Sequence, residues 1–283
     1  MRTNAWISIL VIAVATSFLS PLKISAALMY SGGTYAQNFD SLATSGTGNA
    51  WANDTTISGW HLFNKDSAAI TTYNAGTGSS GTGNFYSFGL AASSERALGG
   101  VGSGGAYFGS PVSGAVAGWI AVAIVNNSGS TFSGFAIQYT GEQWRDGGAA
   151  TPVSQTMVLE YGFGATFGDV TTWTAPGGSF DFTSPVFVNT GTGAAVDGNG
   201  AGQSTGRGGT VDTLSWDNDE TLWIRWIERN DTGLDHGLAI DDLSITAVPE
   251  AAHYALFCSL GLLLIGGGHS LRSYLRRRRA TSV

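Results

Sequence analysis

The side chains best suited to chemistry are oxygen ligands grouped in the C-terminal half: Asp212, Asp217, Asn218, Asp219, Glu220, Asp231 and Asp235 flank one apolar stretch. Carboxylate and amide oxygens are the hard ligands that calcium takes, so Asp217, Asp219, Asp231 and Asp235 form a candidate calcium site. The chain lacks a D-x-[DN]-x-[DN]-G loop closed by glutamate, and acidic loops are commonly just solvated, so calcium is a candidate cofactor and no more. Trp51, Trp60, Trp144 and Trp173 offer flat faces on which sugar rings stack, provided they are exposed. Glu142 and Glu160 have the chemistry of an acid and base pair, and His61 and His236 that of general bases. Nothing in their spacing brings these together. With no G-x-S-x-G, H-E-x-x-H or P-loop pattern, the expectation is a protein without catalytic activity.

A second set of charges falls inside apolar runs. In Leu238 to Thr246, strict alternation puts Asp242 on the face of Leu238 and Ile240, and Asp241 on the face of Leu243 and Ile245. A carboxylate among apolar neighbours needs a cation, an arginine or backbone donors. Arg225 shares a strand face with Trp223 and Ile227, and Arg145 stands beside Trp144. Structural ion pairs between Arg145 or Arg225 and Asp241 or Asp242, flanked by tryptophan, are therefore expected.

The elements that must position these residues read as strands. With 42 Gly among 283 residues and 12% charged residues, the composition disfavours helices and favours short strands joined by tight turns. Nine Trp and a hydrophobic fraction of 43% supply a core. Expected strands are Gly118 to Val125, Phe132 to Tyr139, Thr156 to Phe163, Thr221 to Glu228 and Leu238 to Thr246, with Asn126 to Gly129 as a hairpin loop between the first two. The stretches Gly76 to Gly83, Gly99 to Gly105 and Gly191 to Gly209 are expected to be loops. The fold class is all-β.

The two ends read as addresses. Arg2, the apolar run Ala5 to Leu19 and Ser25-Ala26-Ala27 have the layout of a secretory signal peptide over residues 1–27, with the mature chain starting near Leu28. Residues 251–271 are long enough to cross a bilayer and contain no charged side chain apart from His253 and His269. A basic end over residues 272–279 follows, with Arg276, Arg277, Arg278 and Arg279 as the cytoplasmic anchor; this places the preceding domain outside. That domain, 28–247, is acidic: between Leu28 and Pro249 six Lys/Arg face nineteen Asp/Glu, which argues against nucleic acid as a partner. The single cysteine, Cys258, lies in the apolar segment, so the exported part has no disulfide.

Val248, Pro249 and Glu250, followed by the apolar span and the arginines, resemble the PEP-CTERM sorting signal of Gram-negative bacteria. Ala251 stands where that motif has its second proline. The resemblance covers residues 248–283, with the motif at 248–251. It implies an exosortase-type processing enzyme as partner, a membrane intermediate held by the C-terminal helix, and a final location at the cell surface or outside the cell. The segments Tyr86-Ser87-Phe88-Gly89, Arg96-Ala97-Leu98-Gly99, Gly141-Glu142-Gln143-Trp144-Arg145, Asp197-Gly198-Asn199, Leu222 to Trp226 and Ile240 to Ile245 resemble an uncharacterised jelly-roll domain of secreted bacterial proteins. That resemblance implies a jelly-roll β-sandwich and leaves two functions open: a surface or matrix protein, or a module that binds extracellular polysaccharide, stabilised or not by calcium.

Overall fold

The structure, a computed structural model, describes residues 28–188 and 191–250. The expected signal peptide, apolar span and arginine cluster lie outside the described residues. Among the described residues no helix is long and apolar enough to cross a membrane.

Sixteen strands are present among the described residues. The first eight are β1 (Leu28–Tyr30), β2 (Thr34–Gln37), β3 (Asn49–Ala50), β4 (Trp60–Asn64), β5 (Thr72–Gly76), β6 (Asn84–Phe88), β7 (Ala97–Val101) and β8 (Val116–Asn126). The second eight are β9 (Phe132–Asp146), β10 (Thr156–Met157), β11 (Leu159–Phe163), β12 (Phe182–Thr183), β13 (Ala194–Ala195), β14 (Gln203–Val211), β15 (Thr221–Arg229) and β16 (Gly237–Pro249). A five-stranded sheet has the order β1-β8-β15-β11, with β4 also on β8. A nine-stranded sheet has the order β13-β9-β16-β7-β6-β5-β3, with β14 also on β9 and β2 also on β16. The chain is an all-β sandwich: one core takes Trp60, Ile120, Val122, Ile224 and Trp226 from the smaller sheet and Phe135, Ile137, Tyr139, Ile240 and Ile245 from the larger. Trp226 joins the two, stacked on Trp60 at 5.9 Å and edge-on to Tyr139 at 5.6 Å.

Several sequence expectations change here. Asn126 to Gly129 is no hairpin loop, because β8 pairs with β15 in the smaller sheet and β9 with β16 in the larger; the turn carries the chain from one layer to the other. The Asn126 amide fixes that crossing by donating to the carbonyls of Ser130 and Trp216. The last seven residues of the expected loop Gly191 to Gly209 belong to strand β14, bulged between Ser204 and Arg207, where Gly206 takes a φ of 67°. Thr156 to Phe163 splits in two, with β10 on β12 and β11 on β15.

Strand β16 carries the change that matters most for the site. Its register on β9 slips between Asp241 and Ser244, so Asp242 and Leu243 together oppose one residue, and Asp242 takes a φ of 47°. The bulge reverses the alternation: Leu238, Ile240, Leu243 and Ile245 all face the core, whereas Asp242 is exposed. Asp241 shares the outer face with Ala239 and is buried there. Strand β16 also runs through Val248 and Pro249, paired with Gly134 and Phe132, so the sandwich ends two residues later than position 247.

Replacing Trp226 by Ala is expected to cost about 3–5 kcal/mol, since the cavity opens where the two sheets meet. Val112→Ala, at a position 75% exposed, should stay within about 0.5 kcal/mol. Urea denaturation followed by tryptophan fluorescence measures both.

Candidate functional site

Each sheet has an outer face, and these hold the polar groups left over from the core. On the smaller sheet the register aligns His61, Ala121, Arg225 and Glu160 across four neighbouring strands. Alanines at 121 and 123 leave a depression walled by Phe63, Phe167 and Trp223, with Trp119 and Trp173 packed beside it. Arg225 lies 3.7 Å from the Trp173 ring centre and 5.0 Å from that of Trp119, while its Nε and Nη2 both donate to Glu160 Oε2, at 2.7 and 2.5 Å. The expected arginine between tryptophans is thus present, but its partner is Glu160 and not Asp241 or Asp242, because those belong to the other sheet. Next to it opens a cleft of 320 Å³ lined by Asn53, His61, Phe63, Phe167 and Trp223. His61 is buried, its Nε2 has no hydrogen-bond partner, and burial pulls its pKa down to about 4 despite the nearby Asp54.

On the larger sheet, Tyr86, Phe88 and Trp144 stack in a row across the outer face, at 4.9 and 6.2 Å. Trp144 is roofed by the loop after β13: a Cβ on Gly198 would come within 2.3 Å of its ring, so only glycine fits there. At the end of this row three carboxylates meet. Glu142 on β9 and Asp241 on β16 are 1% and 4% exposed, and half-buried Glu95 comes from the loop just before β7. One oxygen from each lies within 4.8 Å of the other two. Trp144 Nε1 donates to Glu142 Oε2 at 2.9 Å, and the Asn199 amide donates to Glu95 Oε2. Asp241 Oδ1 and Glu95 Oε1 are buried without any donor. Burial raises the Glu142 pKa to about 8 and that of Asp241 to about 9. This is the one group of three or more His, Cys, Asp or Glu ligands able to hold a metal ion among the described residues.

The other candidate residues fall elsewhere. Asp217 and Asp219 are exposed on the loop before β15 and brace the layer crossing: Asp217 Oδ1 accepts from Thr131 and Ser215, and Asp219 N–H donates to Asn126 O. Asp231 and Asp235 sit on the turn after β15, where Asp235 Oδ1 accepts the Asp231 N–H at 2.6 Å and burial raises the Asp235 pKa to about 7. The four do not converge, since the two loops flank opposite ends of β15. Arg145 gives its Nη1 to the carbonyls of Gly78 and Ser79 and pairs with neither Asp241 nor Asp242. Glu142 and Glu160 belong to different sheets. His236 is buried beside Asp146 at 3.4 Å and Gln143, at the far end of β9. Trp51, Trp60 and Trp144 are core residues, and half-buried Trp173 is covered by Arg225. Sequence reasoning missed Glu95 altogether, because it lies outside any strand and far in sequence from Glu142 and Asp241.

No family model and no curated protein matches the chain. Among solved structures it is similar to an arabinose-bound GH51 α-L-arabinofuranosidase, at 13% identity and a TM-score of 0.33, over 79% of this chain but only 30% of that one. It is also similar to the CBM22-1 xylan-binding domain of Xyn10C from Paenibacillus barcinonensis, at 10% identity and a TM-score of 0.30, over 74% of this chain and 100% of that one. A third is the K1 cleaved adhesin domain of Lys-gingipain from Porphyromonas gingivalis W83, at 15% identity and a TM-score of 0.30, over 76% and 99% of the two chains.

The outer face of the smaller sheet yields two expectations. Unfolded chain takes up a proton at His61 near the ordinary histidine value, whereas folded chain does so only near pH 4, so the contribution is intact above about pH 6.5 and is lost as pH falls. Between pH 7 and 4.5 the native protein should lose about 2 kcal/mol relative to His61→Gln in urea titrations; parallel pH profiles would contradict this. Arg225→Lys keeps the charge but not the planar stack on Trp173, and a loss of about 1–2 kcal/mol is expected by the same method.

Proposed function

We propose that this chain is an exported cell-surface or extracellular-matrix protein, whose jelly-roll sandwich is a non-catalytic module and whose tail is a PEP-CTERM-type sorting signal read by an exosortase-type enzyme. The observation that carries the reading is where the sandwich stops. Strand β16 stays paired to Pro249, and Ser133 Oγ bonds the carbonyls of Val248 and Pro249 at 3.3 and 3.2 Å. Proline has no N–H to continue a ladder, so Glu250 is the first residue free of the sheet. The first two residues of the proposed motif, Val248 and Pro249, therefore close the last strand, and cleavage after Pro249 would release a complete sandwich.

Three of the four candidate acids and bases are held in separate packing roles: Glu160 by Arg225, Glu142 by Trp144, His236 by Asp146 and Gln143; His61 stands apart from them on the smaller sheet. The carbohydrate-binding alternative is the weaker one, because Trp51, Trp60 and Trp144 are inside the core and offer no platform for a sugar ring.

Intact mass spectrometry of membrane, surface and medium fractions, from a Gram-negative host with and without an exosortase, tests the reading. The expected species begins near Leu28 and ends near Pro249, outside the cell, in the exosortase-bearing host alone. A membrane-bound form that keeps Arg276 to Arg279 in both hosts would mean a permanent anchor.

A further inference from the structure

We infer that Glu95, Glu142 and Asp241 bind a single calcium ion, which staples β7, β9 and β16 together at the bulge of the larger sheet. Three acidic side chains near one another would not by themselves make a site. What points to a ligand is Asp241: the residue is only 4% exposed, and while the Asp242 N–H serves its carboxyl group, its Oδ1 is buried with no hydrogen-bond partner beside the other two carboxylates. Buried polar atoms almost always have partners, and a buried ionised carboxylate requires one.

No arginine hydrogen-bonds this group among the described residues. Arg96, which follows Glu95 and feels its charge, is buried with its Nε donating to Ser87 Oγ at 2.8 Å and its Nη2 to Ser87 O. Arg145, next to Trp144 on β9, is bound to the carbonyls of Gly78 and Ser79, and Arg225 belongs to the other sheet, where it is held by Glu160. The group must then hold either protons or an external cation.

The shape of the group favours the cation. Calcium–oxygen distances run about 2.3–2.6 Å, so two ligands on opposite sides of one ion stand roughly 4.8 Å apart. The three oxygens lie within that span. Three carboxylates, bound through one or both oxygens, give three to six of the six to eight ligands calcium takes. Water completes the shell from the half-exposed Glu95 side, where exposed Asn199 is the outermost contact. Magnesium fits less well, because it keeps several waters in a strict octahedron, and Glu142 and Asp241 are both closed in by the sheet. Zinc prefers nitrogen and sulfur, and the group has neither.

The test uses the full chain, purified in detergent and stripped with EGTA. Thermal unfolding is followed by tryptophan fluorescence against added calcium chloride, with magnesium chloride as control. Calcium should raise Tm by several degrees and saturate; Asp241→Asn and Glu142→Gln should each weaken the midpoint at least ten-fold, while Asp217→Asn and Asp219→Asn leave it unchanged. Terbium, a luminescent calcium substitute, should be sensitised through Trp144, so Trp144→Phe should quench the signal and Trp216→Phe should keep it. This arm still decides if the carboxylate variants fail to fold. The inference is overturned if calcium leaves Tm unchanged and Asp241→Asn stabilises the EGTA-treated protein, which would mean a proton-sharing cluster. It is equally overturned if the calcium response follows Asp217 and Asp219, or if terbium is not sensitised through Trp144.

Discussion

The pairing of β9 with β16 is the constraint on which the rest of the structure depends. These are the longest strands, at 15 and 13 residues, and each is bonded along both edges. β16 meets β9 on one side throughout, and on the other it meets β7 through Ile240 and β2 from Leu243 onward. A strand that changes neighbours partway must twist at the change, and a bulge is the usual means. Here the register slips between Asp241 and Ser244, where β16 passes from Ile240, its last residue on β7, to Leu243, its first on β2. The left-handed backbone of Asp242 is therefore set by the topology, and an aspartate tolerates it better than a branched residue would.

That one slip explains why part of the site could be read from the sequence and part could not. Apolar composition and strand periodicity place β8, β15 and β16 to within a few residues and put Arg225 on the face of Trp223, whereas the rings that hold it, Trp119 and Trp173, come from elsewhere in the chain. Parity in β16 could not be read. A one-residue insertion leaves no mark on composition, yet it moves Leu243 and Ile245 to the face that alternation assigned to the opposite set. Alternation marks Asp241 as a carboxylate in need of a partner, but local pattern points only to arginines such as the one on the strand before it. The fold instead brings Glu95 and Glu142, from 146 and 99 positions away, by sheet order that no local pattern encodes. The N-terminal strands were illegible for a related reason. β2, β3 and β5 are two to five residues long and polar, held by neighbours and not by their own periodicity.

Glycine acts in this fold as a condition for close approach. On β7, Gly99 sits where a Cβ would come within 2.1 Å of Leu238 O and 2.5 Å of the Ala239 side chain. Gly141 makes room in the same way for the Phe182 ring. The first contact lets β7 lie close against β16, and the second leaves space for a ring from β12 beside β9. The glycine-rich stretches that read as loops in the sequence are thus partly strand, with glycine chosen for contact distance and not for flexibility.

The two outer faces meet the same physical problem in different ways. Each buries acidic groups beside an aromatic row, where the low dielectric makes an uncompensated charge costly. On the smaller sheet Glu160 is offset by Arg225, and the guanidinium is in turn held over Trp173 and Trp119, so charge, hydrogen bonds and stacking close on themselves. On the larger sheet Glu142 and Asp241 are more deeply buried, Glu95 adds a third acid, and the side-chain donors are neutral, the Trp144 indole and the Asn199 and Gln203 amides. With six Lys/Arg against nineteen Asp/Glu over the sandwich, arginine cannot be supplied to every buried acid. An ion taken from solution serves where the chain has no cation to give. The inferred ion would also do what an arginine cannot, since it would draw oxygens from three segments to one point beside the bulge that the topology sets.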